Sequence, residues 1–241
     1  MGPLLAQARA EVAMTLRRGE SLLVALGIPV VLLGFFSTVE VLPMDTHKPV
    51  RFLFPGVLAL AVMSTAMVSL AIATGFERHY RVLKRLGATP LGRPRLLGAK
   101  TVAVVVIEVL QLCVLAVEAG ALGFFDGVPV RWMPAVGAMA LGTVAFTGIG
   151  MLLAGTLPAL TTLASANGLY VVLLLLSGMV VPLSKLPPGL AAVARALPSG
   201  ALADALHASL SGAPVPGRAW LVLAMWAVGA PAIAARFFRW E

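Results

Sequence analysis

The chain has 241 residues, 60% of them hydrophobic and only 12% charged, with a net charge of +8 and a mean hydropathy of +0.98. A soluble domain runs nearer half apolar and a quarter charged, so this composition excludes one and places most side chains in lipid. One cysteine, Cys113, excludes an intrachain disulfide, and no Cys/His cluster is spaced to hold a metal.

At the start of the chain Leu5, Ala8, Val12 and Leu16 recur at helical spacing, with Gln7, Glu11 and Arg18 off that stripe. This predicts an amphipathic interfacial helix over residues 3–18; a frayed basic leader is the alternative. Leu22 to Leu42 is the first apolar run, interrupted only by Pro29 and Glu40. Arg17-Arg18 precede it, but it exceeds a signal-peptide core and lacks a small-x-small cleavage site, so a retained anchor is expected. Phe52 to Phe76 contains no ionisable residue, and Thr101 to Phe125 carries Glu108 and Glu118. From Trp132 to Ser184 there is no Lys, Arg, Asp, Glu or His. That stretch is too long for one crossing and must fold back. The expected break is Gly155-Thr156-Leu157-Pro158, because Pro lacks an amide donor and disfavours helix in the residue before it. Leu183 to Leu197, with Lys185 and Arg195, is too short to cross; with a second helix-like piece carrying Asp204 and His207 it predicts a re-entrant external segment. His207 stands alone, and no metal role is expected of it.

The expected fold is an all-α integral membrane protein in a single domain, 1–241. Its six transmembrane helices fall at about 22–42, 52–76, 101–125, 134–156, 160–182 and 219–236. None of these runs has the apolar/polar alternation of an outer-membrane strand. That leaves no room for a separate catalytic domain, usually about 100 residues or more.

Twelve Lys and Arg fall before the first span, between the second and third, or after the sixth, against six on the other side. The bias places both termini and the 76–100 loop in the cytoplasm and accounts for the basic charge without nucleic acid. In that loop Phe76, Tyr80, Leu83 and Leu86-Gly87 form an apolar edge and Arg78, Arg81 and Arg85 a basic one. Glu77 can pair with Arg81 one turn on, Gly87 is a helix stop, and Thr89-Pro90 begins a turn. The spacing predicts one short amphipathic helix between two spans. It either transmits force from a cytoplasmic partner or is held to anionic lipid as an ordinary juxtamembrane segment.

The segment resembles the cytoplasmic loop of type-2 ABC exporter permeases at Glu77, Arg78, Leu83, Leu86, Thr89 and Pro90, although Arg81-Val82 stand where that family often has Gly-Thr. Ser177-Gly178, Pro182, Leu186-Pro187, Leu197-Pro198 and Ser211-Gly212 resemble the family's segment between the fifth and sixth spans. The order of elements is similar across nearly the whole chain. The resemblance implies the membrane subunit of an ATP-driven exporter in a bacterial plasma membrane. A second permease copy, as homodimer or heterodimer, and two ABC ATPase subunits carrying ATP and Mg would be its partners, alongside membrane lipid. A cytoplasmic coupling helix would then contact the ATPase through Glu77, Arg78, Tyr80, Leu83, Arg85, Leu86, Thr89 and Pro90. The chain itself would bind no cofactor. It has no G-x-x-x-x-G-K-[ST] loop: in Gly98-Ala99-Lys100-Thr101, Ala99 replaces the required Gly and no strand precedes it.

Within the spans, Glu108, Gln111, Leu115 and Glu118 fall within about 80° on the third helix, a stripe that should face protein or water. Glu108 either attracts cationic substrate or steadies the pore, or else it is protonated or sits near a headgroup region paired with a neighbouring helix; the latter is expected of Glu118. On the fifth, Thr161, Ser165 and Gly168 share a face, with Asn167 and Tyr170 adjacent. This is a translocation path, a subunit contact or ordinary packing, and Gly150-x-x-x-Ala154 reads as packing. The expected function is export of an amphiphilic drug, lipid-like molecule or glycan precursor, with no catalysis by this chain. An ion-coupled secondary transporter and a non-transporting membrane anchor or assembly factor are the alternatives.

Overall fold

A computed structural model describes residues 3–17, 19–39, 49–87, 93–127, 129–179 and 183–239. Expected features at Arg18, Glu40, Thr89, Pro90 and Pro182 lie outside the described residues. Among the described residues every regular element is helical. The first six helices are α1 (Pro3–Arg17), α2 (Gly19–Thr38), α3 (Val50–Met63), α4 (Leu70–His79), α5 (Val82–Gly87) and α6 (Arg93–Ala121). They are followed by α7 (Trp132–Thr156), α8 (Ala159–Leu175), α9 (Pro188–Ala196), α10 (Pro198–Leu210) and α11 (Gly217–Phe237). A π-helical segment, Ser64–Ser69, joins α3 to α4, so that Val50–His79 is one continuous helix.

Four helices among the described residues are long and apolar enough to cross a membrane: Val50–His79, Gly98–Ala121 within α6, α7 and α11. Two more apolar helices, Ala25–Thr38 within α2 and α8, are shorter. The ends differ from those read in the sequence. Most plainly, α6 begins at Arg93 instead of 101, because the helix continues through Lys100, whose charge is neutralised inside the protein. The Val50–His79 helix is the axis of the bundle: 78% of its apolar window is buried, against 22% for α11.

Close helix approach follows from small residues. A β-carbon at Gly150 would stand 2.7 Å from the Met67 carbonyl oxygen, so α7 lies directly on the backbone of the π segment. One at Gly148 would stand 2.5 Å from the Pro231 nitrogen, where α11 has no N–H to satisfy. The chain reverses at Leu157-Pro158, and Thr162 Oγ1 donates to the Leu157 carbonyl at 3.2 Å.

Two turns, one at each end of the bundle, interrupt the helices. The periodicity from Phe76 to Gly87 predicts one helix, yet α4 stops at His79 and Arg81 turns left-handed, with φ 58°. For a residue with a β-carbon that conformation costs about 1–2 kcal/mol. At the opposite end Gly178 (φ 77°) follows Ser177, whose hydroxyl donates to Leu174 O at 2.7 Å and accepts from the Met179 N–H at 3.0 Å. This turn lies on α3 at Gly56, where a β-carbon would collide with the Met179 carbonyl. Gly56→Ala is therefore expected to destabilise the fold by about 1–3 kcal/mol in a detergent melting experiment. Gly189→Ala, with nothing within 4 Å of the new methyl, should leave the melt unchanged or raised.

Candidate functional site

The positive charge of Lys100 is the feature that organises the basic end of the bundle. Its side chain is 2% exposed, and Nζ lies 2.6 Å from Glu77 Oε2 and 3.2 Å from Glu11 Oε1. Gln7 Nε2 donates to the same Glu11 oxygen at 3.0 Å. The three charged groups come from α1, the last turn of α4 and the start of α6, so one ion cluster fastens three helices. Removing one partner from such a cluster leaves an uncompensated buried charge, at a cost of about 3–5 kcal/mol. The pairing of Glu77 with Arg81 read in the sequence does not form, because the helix ends before Arg81 completes the turn. Buried Lys100 takes the carboxylate instead. Sequence reasoning alone gives neither Glu11 nor Lys100 a role at this site. The signals for them are an acid off the apolar stripe of α1 and a cation abutting an apolar run.

Beside this cluster Arg78 Nη2 donates to the Leu157 carbonyl, which ties α4 to the turn between α7 and α8. Tyr80 is 64% exposed and its ring stacks on Phe76, whereas Leu83 is buried at 1%. Arg85 and Leu86 lie on the backbone of α5, with α5 packed on α4 and α6.

Half-way along the bundle Gln111 forms a second node. It accepts from Thr65 Oγ1 at 3.0 Å and donates to Ala25 O at 2.9 Å, joining α6 to the π segment and to α2. One turn earlier Glu108, 5% exposed, accepts from Thr143 Oγ1 of α7 at 2.6 Å, while its other oxygen is buried without a partner. Glu118 lies against α2 at Gly34. The stripe on α6 thus faces protein at Glu108, Gln111 and Leu115, with Glu118 half-buried against α2. The α8 residues are elsewhere: α8 packs on α4, the π segment and α7. Thr161 and Asn167 are exposed on it, and Ser165 and Tyr170 are half-buried. The structure therefore does not gather the α6 and α8 residues into one site. Leu160, Val171 and Leu175 extend the open face of α8.

At the opposite end α9 and α10 form the compact segment expected before the last span. Both ring nitrogens of half-buried His207 meet carbonyl oxygens, Nδ1 that of Ala203 at 2.8 Å and Nε2 that of Phe52 at 3.0 Å. A neutral ring has one N–H and satisfies one of them. Asp204 stands close by on the same helix, shared with Arg218 at 3.7 Å. Burial outweighs the two carbonyls and Asp204, and holds the His207 pKa below its usual 6.5. Burial likewise raises the pKa of Asp204, against Arg218, His207 and Arg195.

Residues 4–210 match the family model described as ABC-2 type transporter. No curated protein matches the chain.

The depressed His207 pKa fixes the sign of a pH effect. The unfolded chain takes up the proton first, so stability is full above about pH 6.5 and falls as pH drops from there toward the folded value, with a slope of at most about 1.4 kcal/mol per unit. Melting curves between about pH 7.5 and 5.5 should show this loss in the wild type and not in His207→Gln. Equal slopes would remove His207 as the cause.

Proposed function

The chain belongs to the ABC-2 type transporter family, a multi-pass permease component, and on that basis we propose that it exports an amphiphilic compound across a bacterial plasma membrane. The substrate class is a drug, lipid-like molecule or glycan precursor. In this reading two permease copies pair, and two separate ATPase subunits bind ATP and Mg on the cytoplasmic side, where both termini lie. The observation that carries the reading is the Glu11–Lys100–Glu77 cluster. It sits next to the loop at which family resemblance puts the ATPase, and it fastens the α4 end of that loop to α1 and α6.

A push on Tyr80, Arg81, Arg85, Leu86, Thr89 and Pro90 would reach the bundle through Glu77 and Arg78, with Leu83 as the buried anchor of α5. Lys100 carries the displacement into α6 and Glu11 carries it into α1. Along α6 the same rigid rod presents Gln111 to the π segment and Glu108 to α7, so a tilt of α6 would strain both contacts. A π segment is a place where helix hydrogen bonding is already rearranged, which suits it to absorb such a shift. The open α8 face with Thr161 and Asn167, edged by half-buried Ser165 and Tyr170, supports pairing with the second copy, since small and weakly polar residues let helices approach.

The test uses the permease purified with its ATPase. Tyr80→Ala combined with Arg85→Ala should lower substrate-stimulated ATP hydrolysis at least about fivefold, the lower range of a coupling free energy, with subunit abundance intact. Unchanged stimulation would contradict the coupling role.

A further inference from the structure

A recess of about 370 Å³ opens at the basic end of the bundle, between the last turn of α4 and the α7–α8 turn. It is lined by Arg78, His79, Arg81 and Lys84 on one side and by Pro158 and Ala159 on the other, and no described acidic residue lines it. Glu77, the neighbouring acid, gives a carboxylate oxygen to Lys100. The Arg78 guanidinium is fixed by its bond to Leu157 O, yet its Nη1 is buried with no acceptor in the protein. Arg239, whose N–H bonds to Gly155 O, adds a second positive charge to the surroundings of Arg78. Arg81 is the one described residue other than glycine with positive φ, a strained conformation that persists where the surroundings demand it.

A buried donor without an acceptor and a group of like charges are both unfavourable, and one ligand relieves both: an anion with several acceptor oxygens. Guanidinium groups suit phosphate in particular, through paired N–H donors. The recess lies at the ends of helices long and apolar enough to cross a membrane, so a bilayer they span would bring its headgroups close to it. Its volume is that of about ten waters, enough for a phosphate with part of its headgroup. We propose that this recess binds a phosphate group carried at the membrane surface, that of an anionic phospholipid headgroup. The site shares Arg78 and Arg81 with the proposed force path, but the melting test is run without the ATPase, so it can fail while coupling stands.

The experiment follows the melting temperature of the full chain in neutral detergent as phosphatidylglycerol, phosphatidylcholine or inorganic phosphate is added. Phosphatidylglycerol should raise it by about 4 °C or more where phosphatidylcholine does not. Inorganic phosphate in place of lipid distinguishes a soluble source: a shift with phosphate alone keeps the anion site and overturns the lipid headgroup as its ligand. Arg81→Gln should abolish the response. Arg81→Gly should abolish it while melting no lower than wild type without lipid, since glycine adopts φ 58° freely. Arg9→Gln, which removes a cation of α1 outside the recess, should keep the response. Equal shifts with the two lipids, a response that survives both Arg81 variants, or an equal loss in Arg9→Gln would overturn the site.

Discussion

An ammonium group held out of water between two carboxylates is the interaction on which the basic end of this protein depends. Lys100 is almost wholly buried, and neither Glu11 nor Glu77 is near it in sequence. A buried lysine without such partners would not keep its charge, and a membrane helix would not begin through it. With them, α6 starts well before its apolar run, α1 is fastened along it, and the last turn of α4 is fixed. One cation of the basic loop thereby serves as a mechanical connection between α1, α4 and α6.

Along the bundle the same logic recurs in hydrogen bonds between helices. Gln111 satisfies its amide on Thr65 and Ala25, and Glu108 takes the Thr143 hydroxyl. In lipid each of these bonds replaces an unsatisfied polar group, so they specify which helices touch. Glycines 148 and 150 let α7 close on α11 and on the π segment, so packing of backbone against backbone works beside the polar nodes. The consequence for function is a bundle in which α6 is tied at the bottom by ions and at the middle by an amide. In the proposed coupling, displacement at the basic end would be delivered to the middle of the bundle.

Much of this is legible in the residues. The helix at the start of the chain, the reversal at Gly155-Thr156-Leu157-Pro158 and the two short helices before the last long one follow from periodicity, proline and run length. So does the inward face of the Glu108 stripe, because charges avoid hydrocarbon. The Lys100 cluster is not legible. In one dimension Lys100 is only the last cation of a basic loop and the tail of a failed phosphate-loop pattern, and its partners lie 89 and 23 residues away. The break at Arg81 is hidden for a related reason: the apolar spacing from Phe76 to Leu86 fits a single helix, and nothing local announces a left-handed arginine. Long-range charge pairing and strained backbone are products of the assembled fold.

The most direct measurement is a pulsed electron-spin distance between labels at Arg9 on α1 and His79 at the end of α4, in a Cys113→Ser background with the ATPase bound. The account predicts a narrow distance distribution that stays narrow when nucleotide is added, because Lys100 makes the two helices one body, and a broad one in Lys100→Met. A wild-type distribution that splits on nucleotide binding, or one that stays narrow in Lys100→Met, would contradict it.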